Sequence, residues 1–223
     1  NFGLIIIGDE ILSGKREDKH LPKVIQLLAA RGLALKWARY AGDERTRITQ
    51  DLKDAFASGD LVFSCGGIGA TPDDHTRQCA ARALACELEL HREAEALIRE
   101  RMQDVAREQG VPYEPDRPDN LHRLNMGTFP EGAALIANPY NKIPGFSVGE
   151  VHFVPGFPVM AWPMIEWVLD HHCAHLRRQV FGLCHFVTIE RNHDIPRRQL
   201  RCPQQSIQRR SGIDIDDLGA SLR

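Results

Sequence analysis

Leu61-Val62-Phe63-Ser64-Cys65, followed by Gly66-Gly67-Ile68-Gly69-Ala70-Thr71-Pro72-Asp73-Asp74-His75-Thr76, is the stretch from which the fold is read. A short apolar run ending in closely spaced glycines has the form of a buried strand that delivers the chain to a functional loop. Glycine admits positive φ angles and puts no side chain in the way of a ligand. The helix expected next should begin near Pro72, which suits a first helical position. Its free amides and positive dipole end favour an anionic group. Yet Asp73 and Asp74 stand in the same turn, and two carboxylates repel a phosphate unless a cation lies between them. A Mg²⁺-like divalent cation, held by carboxylate and phosphate oxygens, resolves that conflict. A second reading of Asp74 stays open: Thr71 as cap, with Asp74 reaching back as in a capping box.

Working outward, the same strand-then-loop pattern occurs upstream. Residues 2–7 are an apolar run that ends at Gly8 and opens into Gly8-Asp9-Glu10-Ile11-Leu12-Ser13-Gly14. Asp9 is a candidate cation ligand, or alternatively the cap of a turn with Glu10 turned to water. Leu21, Val24, Ile25 and Leu28 recur at helical spacing before Gly32, which suits a C-terminal cap. A second strand is expected through Leu33, Leu35 and Trp37, leading to Gly42-Asp43-Glu44-Arg45. Ile48, Leu52, Ala55 and Phe56 give another amphipathic helix, closed near Gly59. In a parallel sheet Asp9, Asp43 and Asp74 reach the same rim, although Asp43 fits equally well as a helix cap. No G-x-G-x-x-G follows the first strand, which argues against a dinucleotide-binding dehydrogenase.

Downstream, helices are expected over 74–85 and 91–109, a loop over 111–118 and a short helix over 119–125. Strands follow at 134–137 and 151–154, then a helix over 159–172. Strand alternating with helix argues for an α/β sandwich with a mainly parallel sheet, and such sheets bind ligands at the carboxyl ends of their strands. Two Pro-Gly turns, at 138–146 and 154–158, either border a flat heterocycle or are simple tight turns. His171, His172, Cys173 and His175 tempt a zinc assignment, but no second ligand pair at metal-site spacing accompanies them.

Bulk properties narrow the function class. The 223 residues are 43% hydrophobic and 26% charged, with a formal net charge of −2. That balance carries no basic excess for nucleic acid, and no apolar run approaches membrane-spanning length, so neither partner is expected. The N-terminal stretch has no basic segment leading into an apolar one, so no signal peptide is read there. The six cysteines lack C-x-x-C spacing, and reduced thiols in a cytoplasm are expected. The domain expected from this reading is 1–175. The tail 176–223, with one strand expected over 180–189, is rich in Arg and Gln and receives no function.

Taken in order, GDEILSG (8–14), GDE (42–44), GGIGATPDDHT (66–76), Asn125, Asn138, IPGF (143–146) and PGFP (155–158) resemble the molybdenum-cofactor-biosynthesis, or molybdopterin-binding, domain family. The nearer resemblance is to the N-terminal domain of its competence/damage-inducible protein A branch, over roughly residues 3–172. It implies a three-layer α/β/α sandwich with the ligand, molybdopterin or a nucleotide, at the rim. It implies cation and catalytic roles for Asp9 and Asp74; Asp43, which a parallel sheet brings to the same rim, is expected as a further metal ligand. It assigns ligand contact to Gly8, Gly66, Gly67, Gly69, Thr76, Asn138, Pro144 and Gly145. Ala70 stands where this branch often has Pro, and Lys19-His20 stand where many members carry Thr-Asn after Asp18. Family members divide between adenylyl transfer to molybdopterin and metal-dependent pyrophosphatases acting on ADP-ribose, and relatives are often homo-oligomers. The expectation is therefore a cation-assisted binder of a phosphate-bearing pterin or nucleotide, a pyrophosphatase or a non-catalytic module or transferase.

Overall fold

The computed structural model describes residues 1–174. The tail, with its expected strand over 180–189, and His175 lie outside the described residues. In chain order the elements are β1 (Phe2–Ile7), α1 (Asp9–Leu12), α2 (His20–Ala29), β2 (Leu35–Ala41), α3 (Arg45–Ser58), β3 (Leu61–Cys65) and α4 (Thr76–Leu84). They continue with β4 (Leu88–Leu90), α5 (Arg92–Glu108), α6 (Pro118–Leu124), β5 (Thr128–Pro130), β6 (Ala134–Ile136), β7 (Gly145–Val148), β8 (Val151–Val154) and α7 (Pro158–His171).

Six strands form one sheet in the order β2-β1-β3-β8-β7-β6, and β4 pairs with β5 in a separate antiparallel ribbon. β1 runs parallel to β2 and β3, and β3 parallel to β8, while β7 is antiparallel to both its neighbours. β1 is buried along its whole length because helices cover both faces. Alternate residues face opposite layers. Leu4 and Ile6 join Val24 and Leu28 of α2 and Ile165 and Leu169 of α7. Ile5 and Ile7 join Ile48 and Leu52 of α3 and Cys79 and Ala80 of α4. Residues 1–174 form a three-layer α/β/α sandwich with a mainly parallel sheet.

Two expectations are corrected. The helix after the glycine-rich loop begins at Thr76, not near Pro72, and the stretch between is spent in turns. The segment 138–146 is not all loop: its end, from Gly145, is the start of β7, whose Phe146 stacks in the core between Phe129 and Phe153. The helix boundaries elsewhere follow local chemistry. Gly32 (φ 69°) and Gly59 (φ 66°) end α2 and α3 in left-handed turns that other residues enter at a cost. Asp18 fixes the start of α2, accepting from the amides of His20 (2.7 Å) and Leu21 (3.1 Å).

Candidate functional site

The carboxyl ends of the parallel strands bring the loops after β1, β2, β3 and β8 to one rim, around a cavity of about 350 Å³. The glycine-rich loop forms one side. Gly66 holds φ 109°, and a β-carbon there would run into the backbone carbonyl oxygen of Ile7. Gly67 holds φ 68°, and a β-carbon there would fall on the hydroxyl of Thr76. At Gly69 it would stand 2.7 Å from the Asp74 carboxylate. These glycines line the cavity, and the space a β-carbon would take at each is filled by protein atoms.

What holds the loop lies beneath it. Thr76 is fully buried and donates its hydroxyl to the Gly66 carbonyl at 3.0 Å and its amide to that of Gly67 at 3.0 Å. Thr76, expected to contact the ligand, does not line the cavity; it shapes the loop. Arg77, also buried, donates to the carbonyls of Ile68 and Gly69, the latter at 2.7 Å. Burial pulls its pKa down to about 10, so it is still cationic at neutral pH. Four carbonyl dipoles are thereby turned to protein donors and away from any anion in the cavity. Arg77 escaped the sequence reading because an arginine one residue past a motif looks like surface charge.

The acidic loops meet by an exchange of hydrogen bonds. The amide of Asp9 donates to Asp43 Oδ2 at 3.0 Å, and the amide of Asp43 donates to Asp9 Oδ1 at 3.1 Å. Gly42 is required here, since a β-carbon would strike the Asp9 carboxylate. Asp43, Glu10 and Asp73 line both the cavity and a shallow groove outside it, whereas Asp9 lines only the groove. Partial burial pushes the Asp43 carboxyl pKa up. The charges of Asp9, Asp73 and Glu10 add to that rise, and the Asp9 amide opposes it.

Asp74 lines the cavity but is engaged separately. Its Oδ2 accepts from the Thr71 amide at 2.8 Å and the Thr71 hydroxyl at 2.5 Å, while the Asp74 amide donates to the Thr71 carbonyl at 3.0 Å. The reciprocal pair is thus present, in a turn ahead of α4 and not at its cap. The structure joins Asp9 to Asp43 and Asp74 to Thr71. Among the described residues no group of three His, Cys, Asp or Glu is placed to hold a metal ion unaided. Asp43 makes no cap bond to α3, whose N-terminus has no side-chain cap.

The opposite wall is built by Asn138, Ile143 and Pro144 with Phe157 and Met160. Asn138 is buried and spends its amide on Asn141 Oδ1 (2.7 Å) and the Ile143 carbonyl (2.8 Å), while its oxygen accepts from the Tyr140 amide (3.0 Å). It lines the cavity chiefly as the organiser of its loop. Gly145, expected at the ligand, lies outside the lining. As the first residue of β7 it lets the Phe153 carbonyl and Met164 approach where a β-carbon would stand. Arg16, which motif spacing did not single out, is among the described residues the one Lys or Arg lining the cavity. Its guanidinium lies 3.2 Å from Glu10 Oε1 and 5.2 Å from the centroid of the Phe157 ring.

A family model described as "Probable molybdopterin binding domain" matches residues 3–175, from the first strand past the last described helix. The chain belongs to the molybdopterin-binding domain family. Every loop of the site lies inside the matched region. A CinA-like protein of Anaeromyxobacter sp. (strain K) is 33% identical over 178 residues, covering 78% of this chain and 41% of that relative. A Pyrobaculum arsenaticum protein is 31% identical over 159 residues, covering 70% of this chain and 56% of its own length. The chain therefore spans about half or less of these curated relatives. The crystal structure of CinA from Thermoplasma acidophilum, a protein titled as of unknown function, superposes with a TM-score of 0.64 at 25% identity. That match covers 76% of this chain and 97% of that one. The chain is thus a molybdopterin-binding-type domain of CinA-like kind. Among the described residues no helix is long and apolar enough to cross a membrane.

Proposed function

We propose that this domain binds a phosphate-bearing pterin or nucleotide together with a divalent cation, and that it cleaves a nucleotide pyrophosphate of the ADP-ribose type. One observation carries the reading: among the described residues four carboxylates, Glu10, Asp43, Asp73 and Asp74, line a cavity beside a bare glycine loop, against the single guanidinium of Arg16. An anion enters such a cavity only when positive charge comes with it. Magnesium-type sites commonly use one or two carboxylates and complete the shell with substrate phosphates and water.

When bound, the cation supplies electrostatic stabilisation of phosphoryl oxygens and lowers the pKa of a coordinated water. The protein's own part is division of labour. Asp43 and Asp73 offer carboxylate oxygens at the junction of cavity and groove, with Asp74 beside them. Asp9 orients Asp43 through the exchanged amide bonds. Arg16 meets the phosphate as a cation, and the braced glycine loop lines the cavity beside it. A second reading, a module that holds molybdopterin without turnover or serves adenylyl transfer to it, draws on the family membership.

The test is ADP-ribose hydrolysis by the purified protein with and without Mg²⁺, Co²⁺ or Ni²⁺, run beside calorimetric binding. Metal-dependent release of AMP, reduced at least tenfold in Asp43→Asn, supports the pyrophosphatase reading. Metal-dependent binding without turnover moves the function to the binding or transfer role. A folded protein that binds neither nucleotide nor pterin under any metal condition removes the proposal.

A further inference from the structure

The turn over 138–144 carries a residue that the cavity itself does not use. Asn141 and Ile143 line the cavity, while Lys142 between them does not. Lys142 holds φ 66°, a left-handed conformation that a lysine enters at a cost. Among the described residues the other non-glycine residue with positive φ is Ala85, which caps α4. The Lys142 ammonium lies 2.5 Å from Glu100 Oε1 and 2.6 Å from Asp104 Oδ2, both on α5. Asp104 is mostly covered and also meets Arg107 of its own helix at 2.8 Å. That helix is tied to the other side of the cleft as well. Ile98 and Met102 of α5 pack with Leu124 of α6, and two cavity-lining residues, Met126 and Ile143, pack against this cluster. His122 of α6 donates through Nε2 to the Ala70 carbonyl of the glycine-rich loop at 3.1 Å. The excursion through α5 and α6 thus holds both walls, one by ion pairs and one by a hydrogen bond.

We propose that Lys142 is a positioning residue: by binding Glu100 and Asp104 it holds the 138–144 wall where the ligand needs it, without touching the ligand. The inference rests on the reading that a phosphate-bearing heterocycle occupies the cleft. It adds a determinant of affinity that lies outside that cleft, since none of the three residues lines the cavity. Strained backbone persists where its surroundings over-determine it, and it gathers at ligand clamps. The bonds of Asn138 and Asn141 fix the shape of the turn. The Lys142 ion pairs fix its place against α5. Exposed ion pairs add little to stability, so their effect is expected in placement more than in melting. Charge alone gives the two partners opposite signs. Removing Lys142 takes a cation away from an anionic ligand and should weaken binding, whereas neutralising Glu100 and Asp104 removes repulsion and should tighten it. A clamp makes both changes weaken it.

The experiment measures binding of ADP-ribose and of 6-hydroxymethylpterin in Mg²⁺ by calorimetry. It compares the wild type with Lys142→Met, Lys142→Arg, and a double variant of α5 that joins Glu100→Gln to Asp104→Asn. For the probe that the wild type binds, Lys142→Met and the double variant should each lose about fivefold in affinity. All three changes together should lose about the same fivefold, since one interaction is being removed twice. Lys142→Arg keeps the charge and should stay within about twofold of the wild type. Amide exchange gives a readout that needs no ligand. The Lys142 and Ile143 amides, bonded to the Asn138 carbonyl and Asn141 Oδ1, should exchange about fivefold faster in the double variant, with the β1 amides unchanged. Should Lys142→Met fold poorly, the double variant decides, because it leaves the turn's own sequence intact. Unchanged or tighter binding in the double variant, additive losses, or unaltered exchange at 142–143 overturns the clamp and leaves the parent proposal standing. A folded wild type that binds neither probe removes both.

Discussion

The glycine-rich loop at the rim and the pair of acidic glycine-bearing loops beside it carry similar residues and are held in opposite ways. The loop over 66–76 is braced from below by buried protein donors, Thr76 and Arg77, which hold its carbonyls. The loops over 8–14 and 42–44 are tied to each other by two amide–carboxylate bonds and leave like charges facing one another. One is a scaffold whose geometry is over-determined by the protein. The other has a charge distribution that the protein alone does not satisfy. On the function proposed above, the cation-dependent chemistry belongs to the second loop pair and the steric selectivity to the first.

The largest break in the comparison should come from Gly66→Ala. The residue sits at φ 109°, and the added carbon meets the Ile7 carbonyl, so no local rotation relieves it. A non-glycine residue in such a conformation costs roughly 1–3 kcal/mol before the collision is counted. We expect a loss of about 3 kcal/mol or more in chemical denaturation, with ligand binding abolished. A variant that melts within a degree of the wild type and still binds ligand would show that the loop is not rigidly set.

Much of this contrast was legible in the amino acids, and the rest was hidden for definable reasons. The apolar runs at β1, β3 and β8 mark buried strands, because a strand covered on both faces needs no alternation. The glycine and acidic loops follow directly from those strand ends. β7 was concealed because its first residue, Gly145, follows Pro144 and reads as a turn. Only the packing of Gly145 under the Phe153 carbonyl shows it to be strand. The partnership of Asp9 with Asp43 depends on the parallel register of β1 on β2, which spacing in the chain does not encode. Thr76 and Arg77 act on backbone up to ten residues behind them, through a turn whose path local propensity left open. His20 was noticed as a departure from a resemblance, but its ring's bond to Gly156, 136 residues away, is a tertiary fact.

A smaller effect is expected from Asp74→Asn, and it sharpens the assignment of roles. The amide oxygen of asparagine still accepts from Thr71, but without the charge that strengthens those bonds. The expected loss is about 1 kcal/mol of stability, with cation-dependent ligand binding reduced less than in Asp43→Asn. Should Asp74→Asn abolish the response to Mg²⁺ while Asp43→Asn keeps it, the charge centre belongs to the glycine loop and the contrast is inverted.

The smallest effect concerns Asp43 itself, and its sign is the informative part. The folded protein holds the Asp43 proton more tightly than the unfolded chain, because burial and the neighbouring carboxylates disfavour the ionised form. Stability at this position is therefore highest in acid. It declines as pH rises through the ordinary carboxylate range to the raised folded value, and above that the penalty is constant. Asp43→Asn removes the charge but keeps an oxygen for the Asp9 amide. Without divalent cation at pH 7 the variant should be more stable by a few tenths of a kcal/mol, the scale of exposed like-charge relief. The difference should shrink as pH falls through the ordinary carboxylate range and disappear once the carboxyl is protonated in both the folded and the unfolded chain. Adding Mg²⁺ with ligand should raise the melting temperature of the wild type and leave the variant nearly unmoved, since a ligand stabilises only the state that binds it. A site kept at a stability cost in the free protein, and repaid when the cation arrives, is how a binding residue differs from a structural one. An Asp43→Asn protein less stable than wild type at pH 7 would place Asp43 with Thr76 and Arg77, as part of the scaffold.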